Sequence, residues 1–454
     1  MFDLLIVGGG PAGYRAAERA AEGGLSVALM EKEHLGGVCL NEGCIPSKSL
    51  LYAAKTYAAA KHGEAMGILV PVITLDHGRA MARKSQVVQT LVGGVGAKMK
   101  KAGVTVVTHA AQILGRKTDG FHIEAGGETY VGKRILLATG SQPVIPPIAG
   151  LSESIAGGFA LTNREILSLA ELPSRLCIVG GGVIGLEMAD YYAAAGSQVT
   201  VIEMLDHIGG PMDGELSSVL QKELEQKGIV FHLGAKVTQV GQGTVAFEQN
   251  GSVQEWTGDK VLLSVGRKPS LEGYGLETLG VATQRGAVVT DAQCRTSIAA
   301  VWAAGDINGK SMLAHTAYRE AEAAVNDMLG VQDGMDYRAI PGVVYTFPEV
   351  ASVGLTLEEA QKAGHDAQCS SLSMRFSGRY MAEVDKGNGI CKIVYGATTR
   401  RILGAHLLGS YASEIIHSMV MAMECRLTME DIQKIVFPHP TVSEIIRETA
   451  FEAR

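Results

Sequence analysis

Aromatic side chains are scarce. Two tryptophans, nine phenylalanines and thirteen tyrosines make up only 5% of the 454 residues, although 46% of the chain is hydrophobic. Apolar bulk must therefore come from small and aliphatic side chains, which with 57 glycines suits a Gly- and Ala-rich α/β protein. A large charge of either sign is missing too. Forty basic against 47 acidic residues leave -7, without the basic footprint of a nucleic-acid binder. No apolar run approaches the roughly 20 residues of a membrane span. The start, Met-Phe-Asp-Leu-Leu-Ile-Val-Gly, lacks the basic region of a signal peptide. Seven cysteines are an odd number, and Cys177, Cys294, Cys369, Cys391 and Cys425 are scattered singly, which excludes a secreted disulfide framework. These absences predict a soluble cytoplasmic protein with no nucleic-acid or membrane partner, no metal site, and two to four domains.

The remaining two cysteines are different. Cys39 and Cys44 lie in Gly36-Gly-Val-Cys-Leu-Asn-Glu-Gly-Cys-Ile-Pro-Ser-Lys48. A regular helix would separate them by about 7.5 Å along its axis, at 1.5 Å per residue. A disulfide wants its Cα atoms within about 6.8 Å. The pair can bridge only across a distorted turn, for which Gly43 supplies the freedom, and Pro46 suits the first turn of the helix that follows. A strained bridge at a helix start is easily reduced, so the stretch reads as a working redox pair.

On either side of it the chain repeats a pattern. The strand Leu4-Leu-Ile-Val7 runs into Gly8-Gly-Gly-Pro-Ala-Gly13, an Ala-rich helix, and a second strand that ends at Glu31. Gly8 would make the turn, Gly10 would admit a pyrophosphate, Gly13 would pack helix on strand, and Glu31 would accept ribose hydroxyls. Leu176-Cys-Ile-Val179, Gly180-Gly-Gly-Val-Ile-Gly185 and Gln198-Val-Thr-Val-Ile-Glu203 repeat this, with Gly180, Gly182, Gly185 and Glu203 in the same places. Two complete units imply two dinucleotides.

The sequence predicts helix from Lys55 to Ala102, strands at 104–107, 121–124 and 134–137, and a Pro-rich crossing at Gln142–Pro147. Strands are expected again at 260–265 and 301–304. The composition changes at Tyr337, where antiparallel strands (340–347, 391–395, 402–408) and helices (413–424, 442–451) predict a separate α+β tail. The fold class is thus α/β, with two Rossmann-like dinucleotide-binding domains plus a C-terminal α+β domain, a dimerisation domain if the resemblance set out below holds. The expected domains are 1–146, 147–265, 266–336 and 337–454, which the family resemblance set out below implies to be FAD-binding (first part), NAD-binding, the FAD-binding or central return segment, and dimerisation.

Two dinucleotides and a redox disulfide make an electron relay. A nicotinamide delivers a two-electron hydride, a flavin passes the pair to sulfur, and thiol exchange then needs a base. His439, between two prolines and followed by Glu444, is the candidate base; a loop role for a His-Pro pair weighs about as much. His315 reads as lining a cofactor through loop backbone.

The cysteine stretch, both fingerprints, Gly305-Asp306, Met312-Leu-Ala-His315, Tyr345-Thr-Phe-Pro-Glu-Val-Ala-Ser-Val-Gly354 and His439-Pro-Thr-Val-Ser-Glu444 occur in an order that resembles the dihydrolipoamide dehydrogenases, of the flavoprotein disulfide reductase family. The resemblance covers essentially the whole chain. It implies FAD on the first fingerprint and NAD on the second, Cys44 against the flavin, and Cys39 exchanging with lipoamide. It also implies that Lys48 pairs with Glu187 beside the flavin, that Asp306 binds the FAD ribitol or pyrophosphate, and that His439 with Glu444 is the base. Thr139, Gly140, Gly266, Met312, Leu313, Ala314 and His315 complete the implied cofactor contacts. A homodimer is implied, and so is a lipoyl domain of an acyltransferase or of a glycine cleavage carrier protein as partner. Phe437-Pro438 stands where many relatives carry a further histidine, and fifteen residues after His439 are few for the family. A glutathione-type reductase would carry Ala for Gly185 and basic residues after Glu203, where Met204-Leu-Asp-His-Ile208 has neither Arg nor Lys. A mercuric reductase would end in a cysteine pair. A non-catalytic redox-sensing or scaffold flavoprotein would not need Cys39, Cys44, Lys48 and His439 together.

Overall fold

The computed structural model describes residues 1–384 and 387–453. Its chain forms two compact units. The first gathers Met1–Ser49, Met81–Ile145 and Gly266–Asp336, and the second Leu50–Ala80, Pro146–Val265 and Tyr337–Arg454.

The first unit is built on a five-stranded sheet in the order Val301–Ala303, Ile135–Leu137, Leu4–Val7, Val27–Met30, Thr105–Val107. Every pairing in it is parallel. Parallel strands are covered on both faces and so read as unbroken apolar runs. Leu4, Leu5 and Ile6 are fully buried, and burying each is worth about 1.5–3 kcal/mol. The second unit repeats the design with Val230–His232, Gln198–Ile202, Arg175–Val179, Lys260–Leu263 and Ala160–Leu161, also all parallel. The duplication goes further than the glycines announce. Each unit also carries a three-stranded antiparallel sheet, at 111–132 in the first and 235–257 in the second. The tail adds a five-stranded antiparallel sheet in the order Gly342–Val344, Glu349–Gly354, Ile402–Gly409, Ile390–Gly396, Ala367–Ser373. Its core includes Cys391, Ile393, Leu407, Ile416 and Ile445.

Three expectations need correction. The helix read from Lys55 to Ala102 is two helices, Cys44–Lys61 and His77–Lys101. Residues 67–76 contain Pro71 and are not helical, since a proline ring blocks the helix ladder. His77 then anchors its end of the second helix within the second unit, with ring nitrogens 2.9 Å from the Tyr191 hydroxyl and 2.9 Å from the Leu169 carbonyl. The strand read from Ile340 to Phe347 is only Gly342–Val344. Beyond it the N–H groups of Tyr345 and Phe347 donate to the carboxylates of Glu187 (3.1 Å) and Asp190 (2.8 Å) rather than to a neighbouring strand. Finally, His315 is not in a loop: it stands in the first turn of the helix Ala314–Met328.

Among the described residues no helix is long and apolar enough to cross a membrane.

Candidate functional site

The first fingerprint is a turn that only glycine can make. Gly8 has φ +104°, and a Cβ on it would sit 2.2 Å from the Ala138 carbonyl oxygen. A Cβ on Gly13 would fall 1.8 Å from the Gly8 oxygen, so the helix Pro11–Glu22 rests directly on the turn. Glu31, at the end of the adjacent strand, is buried. One of its oxygens accepts the Gly9 N–H at 2.7 Å and the other the Glu33 N–H at 2.8 Å.

The second fingerprint copies this. Gly180 has φ +106° with the Ser264 oxygen 2.3 Å from a Cβ position. Glu203 accepts the Gly181 N–H at 2.5 Å and the Leu205 N–H at 2.8 Å. A Cβ on Gly182 would meet nothing within 4 Å, and one on Gly10 only the Gly37 Cα at 3.8 Å. The backbone at Gly10 and Gly182 is thus uncrowded where the helices Pro11–Glu22 and Val183–Ala195 begin, and a helix start presents N–H groups without intrahelical partners that suit an anion.

The cysteines sit on two helices rather than one. Cys39 lies within Gly37–Glu42 and Cys44 opens Cys44–Lys61. Gly43 between them is non-helical, at φ -148° and ψ -108°, and a Cβ there would press to 3.1 Å from the Val38 oxygen. This break removes the axial separation that a continuous helix would impose. The two thiols are unbridged, and their mutual hydrogen bond, then burial, pushes the Cys39 thiol up, with Lys48 pulling the other way. The stretch is tied to the first fingerprint, since Gly36 N–H donates to the Gly9 oxygen at 2.8 Å. A Cβ on Gly37 would come 2.7 Å from the Gly10 Cα, so backbone approaches backbone here. Ser47 Oγ donates to the Cys44 oxygen at 3.1 Å, and Lys48 Nζ reaches Ser47 Oγ at 3.4 Å.

Asp306 is held by groups that sequence reasoning missed. Ser141 Oγ donates to Asp306 Oδ2 at 2.5 Å, and Arg267 Nε donates to that Ser141 oxygen at 2.8 Å. Burial lowers the pKa of the Arg267 guanidinium, while Asp306, Glu42 and Cys44 favour its charge. The Gly305 N–H donates to fully buried Glu320 at 2.6 Å, fixing the turn before Asp306. Arg267 was visible beside Gly266; nothing local marked Ser141 or Glu320. Thr139 Oγ1 donates to the Ser270 oxygen at 3.0 Å, Gly140 accepts the Ser270 N–H at 2.9 Å, and Gly266 accepts the Val144 N–H at 3.0 Å. These bonds brace one ribbon, formed by Ser141–Pro143 and Arg267–Pro269. Met312 and Leu313 lead into the helix Ala314–Met328, whose first turn carries His315.

In the second unit, Glu187 is buried and accepts the Tyr345 N–H. In the tail, His439 Nδ1 lies 2.9 Å from Glu444 Oε1, and Glu444 Oε2 accepts the Thr441 N–H at 2.8 Å. Those two contacts, the Thr441 one first, hold the Glu444 carboxyl below the usual carboxylate range. The imidazole is 79% exposed, against 22% for Glu444. An oriented, accessible imidazole nitrogen is what a general base requires. Among the described residues no group of three or more His, Cys, Asp or Glu side chains is gathered as for a metal.

Comparison with known proteins agrees with this architecture. Residues 2–321 match the pyridine nucleotide-disulphide oxidoreductase family, and residues 340–450 its dimerisation domain. The chain is 37% identical to the dihydrolipoyl dehydrogenase of Mycoplasma pneumoniae, over 100% of this chain and 98% of that one. It is 38% identical to that of Chlorobaculum tepidum, over 100% and 97%. Among solved structures, the HOCl-induced flavoprotein disulfide reductase RclA from Escherichia coli superposes with a TM-score of 0.88 at 27% identity, covering 100% of both chains.

Proposed function

Because the chain belongs to the pyridine nucleotide-disulphide oxidoreductase family, an oxidoreductase family that works with FAD and NAD, we propose that it is an NAD-dependent dihydrolipoamide dehydrogenase. It would oxidise the dihydrolipoamide of a lipoyl domain, on an acyltransferase or a glycine cleavage carrier protein, and reduce NAD. The observation that carries the reading is the Cys39–Cys44 pair, broken onto two helices at Gly43 and hydrogen-bonded to the first fingerprint turn.

FAD, when bound, supplies the two-electron link between sulfur and nicotinamide. Gly8, Gly10, Gly13, Glu31, Asp306 and the turns at Thr139-Gly140 and Met312–His315 would hold it, with Lys48 at its side. Gly180, Gly182, Gly185, Glu203 and Gly266 would hold NAD. In the oxidised enzyme a substrate thiolate attacks the Cys39 sulfur, and the Cys39–Cys44 bond breaks to leave Cys44 as thiolate. His439, oriented by Glu444, takes the substrate's proton. The second substrate thiol then displaces Cys39 and yields its proton to the departing Cys39 sulfur, closing the substrate disulfide and leaving the enzyme reduced by one electron pair, with Cys44 as thiolate, Cys39 as thiol and His439 protonated. The match to a dimerisation domain supports a homodimer.

The RclA likeness favours one competing reading, a disulfide reductase that serves no lipoyl domain. Steady-state assay of the purified FAD-loaded protein separates them. Dihydrolipoamide with NAD should turn over at least about a hundredfold more efficiently than NADPH with glutathione disulfide. Dihydrolipoamide turnover no better than that of unrelated dithiols would overturn the assignment.

A further inference from the structure

Residues 204–212 connect Glu203, the acid of the second fingerprint, to Asp213, and this loop is pinned along its length. Leu205 N–H donates to Glu203 at 2.8 Å and Gly209 N–H to the Gly181 oxygen, inside the fingerprint turn, at 2.8 Å. Ser217 Oγ donates to the Ile208 oxygen at 2.8 Å. At the far end Asp213 caps the helix Gly214–Gln226, accepting the N–H groups of Glu215 at 3.1 Å and Leu216 at 3.3 Å. Asp213 is 8% exposed, and a carboxylate so buried needs a cation. The tail provides it. Lys392 Nζ lies 3.0 and 2.8 Å from the two Asp213 oxygens and 3.1 Å from Glu215. Lys392 has little freedom, since its strand is interior to the sheet, paired with His406 on one side and Ser371 on the other.

We propose that Lys392 is a positioning residue for the pyridine nucleotide, acting through Asp213 on the loop that begins at Glu203. The inference rests on the reading that the second fingerprint holds NAD. Ribose recognition by a carboxylate tolerates displacements of only about 0.5 Å. The loop is thus tensioned between the acid that meets the ribose and an ion pair buried against the tail sheet. Releasing the Lys392 end should loosen nucleotide binding and leave the thiol chemistry alone.

The test is calorimetric titration of NAD+ into oxidised, FAD-loaded wild type and the variants Lys392→Met, Lys392→Arg and Asp213→Asn, with steady-state kinetics alongside. Asp213→Asn keeps the helix cap, as Asn and Asp cap equally well, so it answers even where Lys392→Met folds poorly. Lys392→Met and Asp213→Asn should each raise Kd for NAD+ about fivefold, with kcat at saturating NAD+ and KM for dihydrolipoamide within about twofold of wild type. Lys392→Arg, which keeps the charge, should recover most of the loss. The double variant should be no worse than either single one, because one pair carries the effect. Unchanged Kd in both single variants, or a KM for dihydrolipoamide that rises in step with Kd, would overturn the proposal. Glu203→Gln separates the two levels. Normal NAD+ binding in that variant removes the nucleotide from the second fingerprint, and the proposal with it. Weakened binding there with normal binding in Lys392→Met and Asp213→Asn overturns the coupling alone.

Discussion

Glu31 and Glu203 each spend one lone pair per oxygen on a backbone N–H. The remaining lone pairs can accept from two ribose hydroxyls, and a 2′-phosphate offers none at neutral pH. The loop after Glu203 contains one cationic candidate, His207, whose pKa is raised first by its hydrogen bond to Asp206. That bond, at 2.6 Å, also occupies its charge. NAD should therefore be preferred over NADP by at least about tenfold in kcat/KM, equivalent to ~1.4 kcal/mol. Steady-state kinetics with both nucleotides decide this, and equal efficiency would mean that Glu203 does not reach the ribose. The cysteines give a second prediction at this scale. The hydrogen bond to Cys44, then burial, pushes the Cys39 thiol up, while Cys44 stands at the start of the helix Cys44–Lys61, where a helix dipole favours an anion, so Cys44 is expected to be the thiolate against the flavin. A thiolate in contact with oxidised flavin absorbs at long wavelength. Cys39→Ser should keep that band and lose turnover, whereas Cys44→Ser should lose both; the reverse spectra exclude the assignment.

At the scale of elements, the two fingerprints differ in position and hardly at all in build, so one substitution made in each tests their separate roles. Gly8→Ala places a Cβ 2.2 Å from the Ala138 oxygen and Gly180→Ala places one 2.3 Å from the Ser264 oxygen. Both glycines hold positive φ, so the turn must move in either variant. Gly8→Ala should emerge with little or no FAD, measured as bound flavin per chain. Gly180→Ala should bind FAD normally and show NAD+ affinity reduced by about tenfold or more. Flavin loss in both variants would refute a division of labour. The same steric economy explains what could be read from sequence. A strand, three glycines, a helix and a terminal acid are all local, and each residue type follows from the backbone at its own position, so the α/β class and both parallel sheets were legible. The groups around Asp306 were not. Ser141 reaches it across a separation of 165 residues and Arg267 reaches Ser141 across 126, and no periodicity records such a meeting. The same holds for the strand that stops at Val344, because the N–H groups beyond it are taken by Glu187 and Asp190, more than 150 residues earlier. Residues 67–76 escape the helical pattern for another reason: their flanks have helical composition, and Pro71 interrupts it without a change of composition on either side.

At the scale of the whole molecule the question is which chain supplies the base. His439 is anchored by Glu444 through one nitrogen, and the rest of its imidazole faces outward, 79% exposed. In the segment before it Phe437 packs on the tail core, while Ile435 and Val436 are 43% and 92% exposed, adjacent apolar side chains that together offer an interaction surface. The match to a dimerisation domain supplies a reason for such a surface. If two chains exchange these segments, each site combines Cys39 and Cys44 of one chain with His439 and Glu444 of the other. His439→Gln should then lose about 10²–10⁴-fold in dihydrolipoamide turnover, while reduction of the bound flavin by NADH persists. Cys39→Ser should be inactive as well. A mixed dimer of these two variants contains one site with both halves intact, since symmetry places the two lesions together in the other site. Co-expression with two different affinity tags and sequential purification isolates it. The mixed dimer should recover up to about half of the wild-type rate, one of two sites being whole, whereas each homodimeric variant stays inactive. No recovery in a purified mixed dimer would mean that cysteines and histidine meet within one chain, or that His439 is not the base. Reduction of flavin by NADH in that same preparation distinguishes either outcome from a misfolded assembly.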